Sequence, residues 1–263
     1  LEDFVNVDSF FAIGKTHDVC QDYARHGISE GFGYVAVSDG CSSSPDTDFG
    51  SRLITTTAID LFQKTRQIDQ DPIITNTKSY LSLLPLNVSC LDATLLFSYE
   101  TRETIVSVAF GDGVIVSKMK NGDVFFYEIS FSSGAPKYLS YLLDSSRFDR
   151  FKTEFGGVRT VKKFKLGEKD PVEIYNSQEA FDFGLIFPKS EVQMVMICTD
   201  GIQSFADKDF NPVPVSEIIY NLMDIRSYTG EFIKRNTKFF LNKDCKNKGW
   251  IHGDDLGVAA IHI

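Results

Sequence analysis

Residues 94–129 read TLLFSYETRETIVSVAFGDGVIVSKMKNGDVFFYEI. Four strand-like runs follow one another here: Thr94–Tyr99, Thr104–Phe110, Val114–Met119 and Val124–Ile129. β-Branched and aromatic residues dominate each run, as suits a pleated, packed surface. Asn121-Gly122, between the last two runs, is the dipeptide that a tight hairpin turn favours. The middle of the chain is therefore strongly β.

Working outward toward the N-terminus, Phe10–Gly14 and Phe32–Ser38 read as strands, the second a buried one ending in Asp39-Gly40. Ser44-Pro45 signals a helix start, with Asp46 and Asp48 near the positive end of the helix dipole. Phe49, Leu53, Ile54, Ala58, Leu61 and Phe62 then recur at helical spacing, and a second helix is expected over Ser79–Leu86. Toward the C-terminus, strands resume at Val158–Leu166 and Val192–Cys198. Helical patterns return at Val215–Asp224 and Gly230–Leu241, where Phe232, Ile233, Phe239 and Phe240 can share a face, and Leu256–Ile263 closes as a strand. Ser132–Tyr141 and Glu168–Pro188 read as loops or small insertions. Central strands with helix pairs between them predict helices packed outside a β-sandwich. No linker, repeat or low-complexity stretch divides the chain, so residues 1–263 read as one domain.

Composition agrees with this. At 43% hydrophobic and 24% charged the chain is of ordinary globular type, and its 23 Phe suit the space between packed sheets. A net charge of −9 argues against nucleic acid or an anionic membrane as partner. It also means that an anionic substrate would need local positive charge, which bound metal can supply. The apolar runs all fall short of the roughly 20 residues of a membrane helix, and no basic-plus-apolar leader opens the sequence. The five cysteines (Cys20, Cys41, Cys90, Cys198 and Cys245) are widely spaced without a CxxC pair, so reduced thiols in the cytoplasm are expected.

The informative pattern is an aspartate at the end of successive apolar runs. Val35-Ala36-Val37-Ser38-Asp39-Gly40 is one, and Val195-Met196-Ile197-Cys198-Thr199-Asp200-Gly201 is another. Gly253-Asp254-Asp255-Leu256 opens the last strand, and Phe110-Gly111-Asp112-Gly113 sits between two strands. Taken singly, Asp-Gly after a strand is a turn. In combination the carboxylates point to Mg²⁺ or Mn²⁺, which prefer oxygen ligands. Strand ends hold such ligands rigidly, and paired dications can activate water and neutralise phosphate.

Read together, these motifs resemble the protein phosphatase 2C family, particularly its bacterial branch. Gly14-Lys15-Thr16-His17-Asp18-Val19-Cys20-Gln21-Asp22 is similar to that branch's opening G-x-x-H…C-Q-D. Val37-Ser38-Asp39-Gly40, Asp92-Ala93-Thr94, Phe110-Gly111-Asp112, Thr199-Asp200-Gly201-Ile202 and Asp254-Asp255-Leu256-Gly257-Val258 follow in family order. The resemblance implies an α+β, four-layer α-β-β-α sandwich and a Ser/Thr phosphatase with two Mn²⁺ or Mg²⁺ ions. Its substrate would be a phosphoserine or phosphothreonine protein. It implies that Asp39 bridges the metals, that Asp200 and Asp254 complete one site, that the Gly40 carbonyl serves the other, and that Asp22 orients water. Asp255 is the alternative to Asp254, being adjacent to it.

This chain departs from the family pattern in places. Gln21 stands where many relatives carry a metal-binding Glu, and a neutral amide holds a dication less tightly. His17 stands near a phosphate-binding Arg of some relatives and could bind phosphate or act as an acid. Ser204 occupies the position of a second Asp that, with the counterparts of Asp112 and Asp200, holds a third ion. Arg25 and Arg52 are further candidates for phosphate contacts. The departures leave a degenerate, binding-only domain as the alternative function. An aspartate-nucleophile phosphatase would need a D-x-D strand end, whereas Cys41 and Ile202 stand two residues after Asp39 and Asp200.

Overall fold

The computed structural model describes residues 5–178 and 180–263. In chain order the strands are β1 (Asn6–Ala12), β2 (Tyr23–Ser29), β3 (Phe32–Ser38), β4 (Leu95–Glu100), β5 (Thr104–Phe110), β6 (Gly113–Met119), β7 (Val124–Phe131), β8 (Arg159–Lys165), β9 (Val172–Ser177), β10 (Asp182–Pro188), β11 (Val192–Cys198), β12 (Phe205–Ala206), β13 (Ile251–His252) and β14 (Leu256–His262). The helices are α1 (Thr47–Thr65), α2 (Gln70–Leu81), α3 (Ser145–Glu154), α4 (Val215–Met223), α5 (Phe232–Phe239) and α6 (Cys245–Lys248).

The strands form two large sheets. One has the order β1-β14-β11-β6-β7-β8-β9 and the other β10-β5-β4-β3-β2, with antiparallel pairing throughout. Alternation along the strands explains why they sandwich. In β11, Val195 and Ile197 face the space between the sheets, while Met194, Met196 and Cys198 face α4 and α5. In β3, Val35 and Val37 take the inner space, and Tyr34 and Ala36 face α1 and α2. Both faces of these strands are covered, so they read as unbroken apolar runs rather than alternating ones. The result is the expected four-layer α-β-β-α arrangement. Among the described residues no helix is long and apolar enough to cross a membrane.

Several elements differ from the sequence reading. The second helix runs over Gln70–Leu81, not Ser79–Leu86: Asp69 caps it by accepting from the Asp71 N–H, and Ile73, Ile74, Thr77 and Leu81 are buried. Glu168–Pro188 is not a loop, because β9 and β10 lie within it and extend the two sheets at their edges. The first strand is Asn6–Ala12 rather than Phe10–Gly14. β2 and α3 carry no clear periodic signal, and the sequence reading omits both. Phe239 leaves the expected buried face of α5 and is 45% exposed.

Candidate active site

Antiparallel pairing brings the ends of several strands to one edge of the sandwich. β3 and β11 end there, β14 starts there, and the β5–β6 turn lies there. Asp39, Asp112, Asp200 and Asp254 therefore converge on one pocket of about 200 Å³, with His17 and Gly40 in its lining. The Asp39 backbone is fixed from both sides: its N–H donates to Thr94 Oγ1 at 3.1 Å, and its carbonyl accepts from the Thr94 N–H at 2.8 Å. Asp112 sits between Gly111 and Gly113, whose φ values of +97° and +137° need glycine. A Cβ on Gly113 would also stand 2.8 Å from the Cys198 carbonyl oxygen.

Asp22 lies behind the pocket and is 1% exposed. Its Oδ2 accepts from Thr199 Oγ1 at 2.6 Å, and Thr199 in turn accepts from the Gly257 N–H at 2.8 Å. Its Oδ1 and the Oδ1 of Asp112 are buried without any hydrogen-bond donor.

The electrostatics follow from this crowding. Burial first, and then the charges of Asp22, Asp200, Asp112 and Asp254, hold the Asp39 carboxyl well above its ordinary range. Burial also lifts Asp22, and the Asp200 charge adds to it against the Thr199 hydrogen bond. Asp112 is pushed up to about 7 by burial and the Asp200 charge, with Arg159 acting the other way. Asp200 is pushed up to about 6 by burial and the Asp254 charge.

Oxygen donors, two orphaned carboxylate oxygens and unmet negative charge together fit a hard divalent cation. Among the described residues, no three His, Cys, Asp or Glu side chains already form a ready-made ligand group.

The two adjacent aspartates separate clearly. The Asp254 side chain is 43% exposed and lines the pocket. Asp255 is 1% exposed and staples the opening motif: Oδ1 accepts from the Gly14 N–H at 2.7 Å, and Oδ2 from the Gln21 N–H at 2.6 Å. His17 lies between them, Nδ1 3.0 Å from Asp255 Oδ2 and Nε2 3.4 Å from Asp254 Oδ1. Partial burial opposes its charge, but the close Asp255 carboxylate, and after it Asp254, hold the imidazole above its ordinary value.

The other candidates lie elsewhere. Gln21 is not part of the pocket lining: its Nε2 donates to Thr47 Oγ1 at 2.8 Å, at the start of α1. Ser204 is committed to backbone, donating to the Gly201 carbonyl at 2.8 Å and accepting from the Asp254 N–H at 3.1 Å. Arg25 donates to Tyr23 Oη at 3.2 Å, and Arg52 lies over the Phe11 and Tyr23 rings; neither is in the pocket lining. The sequence reading missed the wall formed by Gly134, Pro136 and Tyr138, because that segment has no periodicity. Thr199, which orients Asp22, was legible only as part of the Thr-Asp-Gly turn.

The sequence profile of protein phosphatase 2C matches residues 14–237, and the chain belongs to that family. Solved structures share its fold at low identity. The serine/threonine phosphatase Stp1 from Staphylococcus aureus is 10% identical, with 98% of this chain and 95% of that one covered and a TM-score of 0.54. The Mycobacterium tuberculosis serine/threonine phosphatase PstP/Ppp is 11% identical, with 98% of both chains covered and a TM-score of 0.53. The catalytic domain of the serine/threonine protein phosphatase PstP in complex with two manganese ions is 12% identical, covering 98% and 97% of the chains at a TM-score of 0.50. None of the curated protein sequences matches this chain.

Proposed function

We propose that this protein is a metal-dependent phosphoprotein phosphatase that hydrolyses phosphoserine or phosphothreonine monoesters with water. The convergence of Asp39, Asp112, Asp200 and Asp254 on one pocket, with buried oxygens lacking donors, carries this reading. Family membership and the manganese reported for the PstP domain support the choice of cofactor. Asp39, Asp200 and Asp254, with the Gly40 carbonyl, would hold two Mn²⁺ or Mg²⁺ ions, and Asp112 adds a further carboxylate. When bound, the ions supply charge neutralisation and water activation.

The chain's own residues do the rest. Thr199 fixes one oxygen of Asp22, and the other, buried without a donor, would orient water in the pocket. His17 stands at the pocket edge between Asp254 and Asp255. It can hydrogen-bond a phosphoryl oxygen or protonate the departing alkoxide. Phosphate monoesters resist hydrolysis so strongly that enzymes must supply up to about 10²¹-fold acceleration. A pocket lined by carboxylates that dications can neutralise suits that demand.

The test is hydrolysis of an aryl phosphate and a phosphothreonine peptide with Mn²⁺, with Mg²⁺ and with chelator, alongside Asp39→Asn. The expected result is metal-dependent turnover that disappears in the variant and in chelator. Folded protein that binds manganese without turnover would instead support the binding-only reading, which the diversion of Gln21 to Thr47 favours.

A further inference from the structure

Asp92 belongs to one of the motifs, yet the proposed reaction leaves its side chain without a task. It is 3% exposed. Its carbonyl accepts from the Cys41 N–H at 2.8 Å, and the next residue, Ala93, bridges Gly40, so its backbone braces the loop that carries Asp39. Its carboxylate collects donors from three other segments. Ser44 Oγ, ahead of α1, donates at 2.7 Å, and Ser140 Oγ at 2.6 Å. Arg147 Nη2, in the first turn of α3, reaches both oxygens at 2.8 and 2.6 Å. The Arg147 guanidinium also lies 5.3 Å from the Tyr141 ring, which meets the Tyr138 ring edge-on at 5.6 Å. Tyr138 lies against Cys41 and, with Gly134 and Pro136, lines the pocket.

We propose that Asp92 and Arg147 form a latch that positions the Gly134–Tyr138 wall against the Asp39 loop. The latch sets how a phosphorylated protein segment is held, without touching the phosphoryl group. Arg147 is a positioning residue in this scheme, and the inference rests on the phosphatase reading of the pocket. Charge-assisted bonds to a buried carboxylate make the latch strong. Removing the guanidinium leaves Asp92 with only its two serine donors, while the backbone bonds that brace Asp39 remain.

The experiment compares wild type with Arg147→Ala, Arg147→Lys and Ser140→Ala. KM and kcat are measured on a phosphothreonine peptide and on a small aryl phosphate, and the alkylation rate of Cys41 is followed by peptide mapping. In Arg147→Ala, KM for the peptide is expected to rise about tenfold while kcat, and both constants for the aryl phosphate, stay within about twofold. Cys41 should alkylate faster, and Arg147→Lys should recover part of both effects, since it keeps charge but loses the fork geometry. Equal loss of kcat on both substrates with unchanged KM would overturn the latch, as would wild-type kinetics and labelling in every variant. If wild type itself shows no turnover, labelling decides alone. Faster Cys41 alkylation in the variants then upholds the latch while the phosphatase reading fails, and unchanged alkylation sinks the latch. Should Arg147→Ala not fold, Arg147→Lys and Ser140→Ala carry the same comparison.

Discussion

Asp254 and Asp255 leave consecutive backbone positions for different environments, one at the pocket and one in the loop packing beneath it. Substituting them should have separable consequences. Asp254→Asn is expected to weaken manganese binding and abolish turnover while leaving the urea midpoint near wild type. Asp255→Asn turns an amide NH₂ toward either the Gly14 or the Gln21 N–H and should cost about 1–3 kcal/mol of stability. Titration calorimetry with Mn²⁺ and urea unfolding of both variants check this, and similar unfolding midpoints for the two would sink the division of labour. The sequence left these residues open because only register separates neighbours, and register becomes visible when burial does. Gln21 and Ser204 teach the same lesson. Their departure from the family pattern was legible, whereas the donors and acceptors they meet, Thr47 and the backbone around Gly201, are brought near by the fold alone.

At the level of elements, α1 packs so closely on the segment before β4 that a Cβ on Gly50 would stand 1.7 Å from the Cys90 carbonyl oxygen. Gly50→Ala must therefore displace the helix or that segment. It is expected to destabilise by about 1–3 kcal/mol despite the higher helix propensity of Ala. A chemical denaturation curve for Gly50→Ala that matches wild type would contradict this packing. Of the strands that the sequence revealed, β3 to β7, β11 and β14 have both faces covered or are joined by short turns, and so concentrate apolar residues. The strands it hid are sheet edges. β9 leaves Val172 62% and Ile174 41% exposed, and β10 carries Gly184, exposes Ile186 at 67% and ends in Pro188. Edge strands need only one set of ladder partners, which frees their composition from the usual β signal. The wall segment was harder still: it has no local pattern, and the neighbouring Ser140 and Arg147 meet Asp92 only through the fold.

For the molecule as a whole, the crowded carboxylates link stability to pH. Asp112 and Asp200 rise from 3.8 to about 7 and about 6 in the folded protein. Between the unfolded and folded values the native state holds protons that the unfolded chain has released. The stability these two groups contribute is thus fully present below the unfolded value and is lost as pH rises through the folded values. Burial shifts His26, His252 and His262 below their ordinary value, and these add stability with rising pH instead. The carboxylate share is therefore read as a difference. In chelator, the melting temperature of wild type should fall relative to Asp112→Asn between about pH 5 and pH 8. Saturating Mn²⁺ should remove that fall, since a dication stabilises the ionised carboxylates it binds. Parallel melting curves for the two proteins with and without metal would refute the linkage.

The same architecture has a temporal side. β1 is paired by β14, and the Gly14 N–H meets a carboxylate 241 residues further along the chain. A ribosome adding about 5–20 residues per second takes on the order of tens of seconds to cover that distance. Throughout that interval Asp22 and Asp39 exist without Asp254, and the nascent chain has nothing to close its pocket. Completion of β14 is then the event that assembles the pocket, and a product stopped before Asp254 lacks one of its four carboxylates.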